Sequence, residues 1–261
     1  MTRYLITAAL AALALALPAA ADARVIELGA GAEPAGASNC PDDPCVAAYQ
    51  MTAYQGRSGS LKNPAVVRRP GYIVAFSVSL GELTPTQTTF FNGRFGDGPK
   101  VQLSILRRSK RKGKRGNHRL MSQSEVYDVA PFLGSRPTFA LAKPLRVGKH
   151  FRVALTVPTW APVLDTVDLD GGNWWRSSRQ KGECGKDDEL SPPSAQQKRT
   201  SIVDYGCTYF KSRLLYTATY IPDPRRTAES GEESKTRRGR AATARVAGQP
   251  PRAVAGGALA P

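Results

Sequence analysis

The stretch Gly71 to Leu80, GYIVAFSVSL, decides the fold. Tyr72, Val74, Phe76, Val78 and Leu80 fall on one side of an extended chain. Ile73, Ala75, Ser77 and Ser79 fall on the other. Alternation of large apolar with smaller or polar residues predicts a half-buried strand. Pro70-Gly71 before it and Gly81 after it are the turn residues that bracket such a strand.

The same period recurs on either side. His150 to Val157 places Phe151, Val153, Leu155 and Val157 inward and His150, Arg152, Ala154 and Thr156 outward, with Pro158 expected to end the strand. Val101, Leu103 and Ile105 alternate with Lys100, Gln102 and Ser104. Leu120 to Val129 continues as a weaker strand, so the two form a hairpin whose tip is Arg107 to Arg119. Val46–Tyr54, Pro64–Arg68, Thr138–Leu141, Leu145–Val147, Ser201–Phe210 and Arg213–Ile221 complete the set. Gly81 to Pro99 is read as a connection, its Asn92-Gly93 and Asp97-Gly98 favouring tight turns. No helix-period stretch is expected beyond the amino-terminal segment. Roughly eight to ten short strands with turn signals over about 180 residues predict a single all-β domain, an antiparallel, jelly-roll-like β-sandwich. A closed barrel is the structural alternative.

The ends read differently. Residues 1–23 have the pattern of a secretory signal: Arg3, then the apolar run Tyr4–Leu17, then Pro18 and Ala21-Asp22-Ala23. The run is shorter than the roughly 20 residues of a membrane-spanning helix, so cleavage after Ala23, or after Ala21, is expected rather than anchoring. Residues 24–39 form a flexible Gly/Ala-rich leader, with Val25–Leu28 as an addition to a sheet edge. Residues 40–222 hold the sandwich. Residues 223–261 are Ala, Gly, Pro, Arg and Glu with no aromatic residue, a composition expected to stay disordered.

Four cysteines, Cys40, Cys45, Cys184 and Cys207, in an exported chain imply two disulfides. Three pairings are possible. The expected one joins Cys40 to Cys45 across Pro41-Asp42-Asp43-Pro44, and Cys184 to Cys207 across a polar loop. Two histidines and no paired C-x-x-C spacing argue against a zinc site, and neither metal nor cofactor is expected.

The formal charge of +16 is locally concentrated. Eight of the thirteen residues from Arg107 to Arg119 are basic and none is acidic: Arg107, Arg108, Lys110, Arg111, Lys112, Lys114, Arg115 and Arg119. Such a run is either a solvated hairpin end or a contact for phosphates and carboxylates. Sequence-specific nucleic-acid readout is not expected, because the run has no recognition helix and no interleaved aromatics. Trp160, Trp174 and Trp175 sit in predicted loops, where they could stack on sugar rings. The commoner role of tryptophan is core or loop anchoring. The segment Asp165 to Asn173 has some of the oxygen ligands of a calcium loop but lacks the closing Glu, and reads first as a polar turn.

Catalytic signatures are weak. No G-x-S-x-G, P-loop or H-E-x-x-H occurs. Glu82 and Glu125 are the candidates for glycosidase-type acid and base, but no run places two carboxyls together. His118 falls in the charged tip, and His150 faces outward.

The runs CPDDPC (40–45), KNPAVVRRPGYIVAFSV (62–78), FFNGRFGDGP (90–99), ALTVPTWAP (154–162), WRSSR (175–179) and YGCTYFKSRLLYTATYIP (205–222) resemble a group of exported proteins of Gram-positive actinobacteria. The resemblance spans about residues 40 to 222. It implies export and a β-sandwich and brings no catalytic residue with it. The basic tip here is longer than the resemblance implies. Together these readings anticipate a secreted or cell-wall-associated, non-catalytic module that attaches to acidic or sugar polymers. The alternatives are a carbohydrate-active enzyme on a jelly-roll scaffold and a purely structural exoprotein.

Overall fold

Gly71 to Leu80 forms the expected strand, but its inward face changes part-way. In the computed structural model, which describes residues 24–29, 36–110, 116–185 and 190–224, Ile73 is fully buried while Tyr72 is 43% exposed. Phe76, Val78 and Leu80 are then buried as anticipated. A bulge causes the switch. Ile73 faces Tyr220 and Ala75 faces Thr219, so Val74 is an extra residue opposite the neighbouring strand. One extra residue in a period-2 element moves every later side chain to the other face. The signal segment, most of the carboxy-terminal tail and four residues of the basic tip (Arg111, Lys112, Lys114 and Arg115) lie outside the described residues.

The strands, in chain order, are β1 (Ile26–Leu28), β2 (Ala48–Ser58), β3 (Leu61–Lys62), β4 (Gly71–Val78), β5 (Lys100–Arg108), β6 (Asn117–Gln123), β7 (Tyr127–Asp128) and β8 (Thr138–Val147). They continue as β9 (Arg152–Ala161), β10 (Leu164–Asp165), β11 (Trp174–Ser177), β12 (Ile202–Asp204), β13 (Cys207–Phe210), β14 (Arg213–Leu214) and β15 (Tyr216–Pro222). A four-stranded sheet has the order β1-β15-β4-β8. A larger sheet runs β12-β6-β5-β9-β2-β11-β13, with β3 and β7 added at its sides. All the registered pairings between these strands are antiparallel. Leu28, Ile73, Phe76, Val78, Val147, Ala218 and Tyr220 of the smaller sheet share one core with Met51, Leu103, Ile105, Val153 and Leu155 of the larger. The result is the expected all-β sandwich, built by burying apolar faces of two sheets against each other.

The opposite face of the larger sheet is buried too, and part of it is polar beside a small apolar cluster of Tyr54, Leu106, Leu120, Ala154 and Tyr205. The hydroxyls of Thr52, Thr156 and Ser104 form a row across β2, β9 and β5, 2.8 and 2.6 Å apart. Part of the polar segment before β12 closes over this row. The Gln196 backbone N–H donates to Thr52 Oγ1 at 2.9 Å, and Tyr205 Oη donates to Gln196 Oε1 at 2.9 Å. The outward residues of the central strands are therefore hydroxyl-bearing because they are covered by chain that needs hydrogen-bond partners.

Two sequence expectations are corrected. Gly81 to Pro99 is not only a connection: Pro85–Phe95 is an α-helix, α1. Thr84 caps it, with its side chain accepting from Gln87 N–H while the Gln87 side chain accepts from Thr84 N–H. This reciprocal box, with Pro85 in the first turn, starts the helix. Phe91 and Phe95, four residues apart, dock on Trp160, so Asn92-Gly93 is held in the last turn rather than making a hairpin turn. Pro158 does not end its strand either, since β9 runs on to Ala161. Val157 faces Met51 and Trp160 faces Tyr49, so Pro158 lies in an irregularity of the β2 pairing, where proline is tolerated.

Both expected disulfides are formed, Cys40–Cys45 and Cys184–Cys207. Val25–Leu28 was expected at a sheet edge, and Ile26–Leu28 is the edge strand β1.

Candidate functional site

The basic hairpin tip begins where β5 leaves the sheet. Arg107 of β5 lies directly opposite Arg119 of β6, and Arg108 opposite His118. Like charges facing each other across an antiparallel pair cost stability, so this placement has no folding rationale. The cost buys a concentration of positive charge around one cleft of about 1040 Å³.

Three separate parts of the chain supply its cations. The hairpin contributes Arg107, Arg108, Lys110 and Arg119. The segment between β3 and β4 contributes Arg68, and the β8–β9 turn and β9 contribute Lys149, His150 and Arg152. Backbone bonds lock these parts together. His150 N–H donates to Val67 O at 2.8 Å, and Val153 N–H to Ala65 O at 2.9 Å. His150 has φ of +68°, an unfavourable conformation for a side-chain-bearing residue that turns the chain into β9. Val66, Phe151 and Ile202 add apolar surface to the cleft. No carboxylate is among its described lining residues.

Arg152 sits at the inner end. It is half-buried, lies 4.6 Å over the ring of Tyr54 and donates to Asn63 Oδ1 at 3.0 Å. Burial pushes its pKa down, and the nearby cations Arg108 and Arg176 push it further the same way, while Tyr54 and Tyr216 oppose the shift. Arg119 Nη1 donates to Thr200 O at 2.9 Å, which holds its guanidinium against the segment before β12. The ion pair of Arg146 with Asp223 lies elsewhere.

The sequence-level candidates distribute as follows. Arg107, Arg108, Lys110 and Arg119 come together in the cleft, while Arg111, Lys112, Lys114 and Arg115 lie outside the described residues. Arg68, Lys149 and Arg152 were not singled out. None belongs to a long basic run, and only the outward position assigned to Arg152 hinted at a surface role.

His118, expected in the charged tip, is instead 1% exposed. Its ring packs against Tyr54 and Tyr205, with Nδ1 2.7 Å from Gly116 O. Burial, and next the charge of Arg152, lowers its pKa to about 3.

Trp160 is fully buried beneath α1 and donates to Asn92 Oδ1 and Gly96 O. Trp175 is buried, stacked 4.1 Å from Tyr209, and donates to Ser212 Oγ. Trp174 is half-buried across Gly56, where an added Cβ would come within 1.8 Å of its ring. The three rings do not form one exposed platform.

In the segment Asp165 to Asn173, Asp170 Oδ1 accepts from Gly172 N–H and Asn173 Nδ2, and Asn173 Oδ1 accepts from Gly59 N–H and Arg213 Nε. The Asp170 bonds are local to the turn, while those of Asn173 tie it to distant parts of the chain.

Glu125 accepts from Tyr127 Oη at 2.7 Å. Hydrogen bonding, first from its own backbone and then from Tyr127, lowers its pKa, the opposite of what a general acid needs. Glu82 is exposed beside Gly134. No cluster of three or more metal-ligating side chains occurs among the described residues.

Comparison with protein-family models, curated proteins and solved structures returns no match. No described helix is long and apolar enough to cross a membrane.

Proposed function

We propose that this protein is an exported, non-catalytic module that binds anionic polymers of the cell envelope or its surroundings through the cationic cleft. One observation carries the reading. Seven Lys and Arg residues, drawn from three parts of the chain, line one concavity without a described carboxylate among them. Two of them, Arg107 and Arg119, face each other across paired strands. Guanidinium groups suit phosphate, sulfate and carboxylate groups because their donors form a planar fork. The apolar patches of Phe151 and Ile202 suit the carbon skeleton of a glycan between its charges. The two disulfides suit an oxidising compartment.

Salt tests this reading. Binding to a heparin-type sulfated polysaccharide and to polyphosphate should weaken steeply as NaCl rises, because each neutralised charge releases counterions. The triple variant R107Q/K110Q/R119Q should flatten the slope of log K against log [salt] by about two to three. A slope unchanged by the triple variant, or retention insensitive to salt, overturns the proposal.

A further inference from the structure

A second pocket, of about 520 Å³, lies on the other flank of β2 and has a different character. Its walls include Met51, Leu164, Trp175 and Tyr209, with Tyr49 at one side. The size falls within the range of about 300–1,000 Å³ usual for small-molecule sites. One lining residue does not belong in such surroundings. Arg179 is 3% exposed. Its guanidinium carbon lies 4.4 Å over the ring of Tyr49, one terminal nitrogen donates to Tyr49 O at 2.9 Å, and the other is 3.1 Å from Met51 Sδ. Its Nε–H is buried with no hydrogen-bond partner. No described carboxylate forms an ion pair with it.

Burying a guanidinium with no counter-ion among the described residues is costly. The ring of Tyr49, one carbonyl and a thioether offset only part of that cost. An anion seated in the pocket would pair with this guanidinium, and the apolar walls would take its hydrocarbon body. We infer that this pocket is a binding site for a small amphipathic carboxylate, a molecule with one anionic head and a compact apolar tail, whose head pairs with Arg179. The site is separate from the cationic cleft: the two share no lining residue. It also gives a role to Trp175, which is buried from bulk solvent but lines this pocket with its stacked partner Tyr209.

The test compares decanoate with decan-1-ol, which has the same tail and no charge. Binding to the oxidised full chain is followed by calorimetry, with saturating tripolyphosphate present to occupy the cationic cleft. Decanoate should bind about 10- to 100-fold more tightly than the alcohol, the range expected for one charge-assisted hydrogen-bonded contact. Arg179→Met should bring the two affinities within about twofold while retaining the alcohol. The cleft variant R107Q/K110Q/R119Q should leave decanoate affinity unchanged. Equal affinities in the native protein, absence of decanoate binding, a preference that survives Arg179→Met, or a preference lost in the cleft variant each overturns the inference. Should Arg179→Met fail to fold, the native comparison and the cleft variant still decide it.

Discussion

His118 illustrates how a single residue is redefined by its neighbours. In sequence it belongs to a run of cations. In space its ring is enclosed by Tyr54 and Tyr205, and its Nδ1–H is directed at Gly116 O. Its pKa is lowered to about 3 in the folded protein, whereas an unfolded chain holds it near its ordinary 6.5. Between those values the unfolded state binds a proton that the native state does not. Stability from this group is therefore intact above the ordinary value and is lost as pH falls through the window, by about 1.4 kcal/mol per pH unit. Urea denaturation across that window should show the decline, and His118→Phe, which keeps a ring between the tyrosines, should reduce its slope. A slope equal in both proteins would mean that His118 is protonated in the native state.

Helix α1 is a case where element-level signals were present but weak. Thr84, Pro85 and Gln87 carry the start of a capping box, yet Asn92-Gly93 about two turns on reads as a chain reversal. The reversal does not occur because Phe91 and Phe95 gain burial against Trp160, and Tyr49 stacks on Phe95 at 4.1 Å. Gln87 also donates to Pro41 O, tying the helix to the first disulfide loop. Thr84→Ala should cost about 1 kcal/mol in urea denaturation, and Thr84→Ser should cost much less, because the hydroxyl rather than the methyl makes the cap. Equal losses would show that the cap contributes nothing. Strand β4 teaches the complementary lesson. Its alternation identified the element, but the bulge at Val74 reversed which residues of its first half face the core. A bulge is set by pairing with β15 and β8, so it leaves no mark in the strand's own period.

At the scale of the molecule, the two sheets share one apolar core, and the disulfides pin segments outside it. Cys184–Cys207 closes a span of 23 residues that includes the chain covering the hydroxyl row, whereas Cys40–Cys45 closes a span of 5. On the loop-entropy model, replacing Cys184 and Cys207 with Ala should cost about 3 kcal/mol. The smaller loop should cost less. Denaturant midpoints of the two double variants would check the order, and a larger loss from the Cys40/Cys45 pair would contradict the entropic account. Charge is also arranged at this scale. The cleft draws Arg68, Arg119 and Lys149 from positions scattered over some eighty residues of chain, and this is why counting charges along the tip identified only one wall.

The sequence alone pointed to the all-β sandwich and, among three possible pairings, to the two disulfides that form. Side-chain period and cysteine spacing are local properties that survive in any reading of the chain. It also marked Arg107 to Arg119 as the most cationic stretch. Only the tertiary structure decided which face of β4 points inward, that Trp160 belongs to the core beneath a helix, and that Arg68, Lys149 and Arg152 join the basic hairpin. It alone placed Arg179, one arginine among many in the sequence, beside an apolar pocket with no counter-ion among the described residues. Those features depend on contacts between residues far apart in sequence, and burial and charge proximity exist only once the chain has closed on itself.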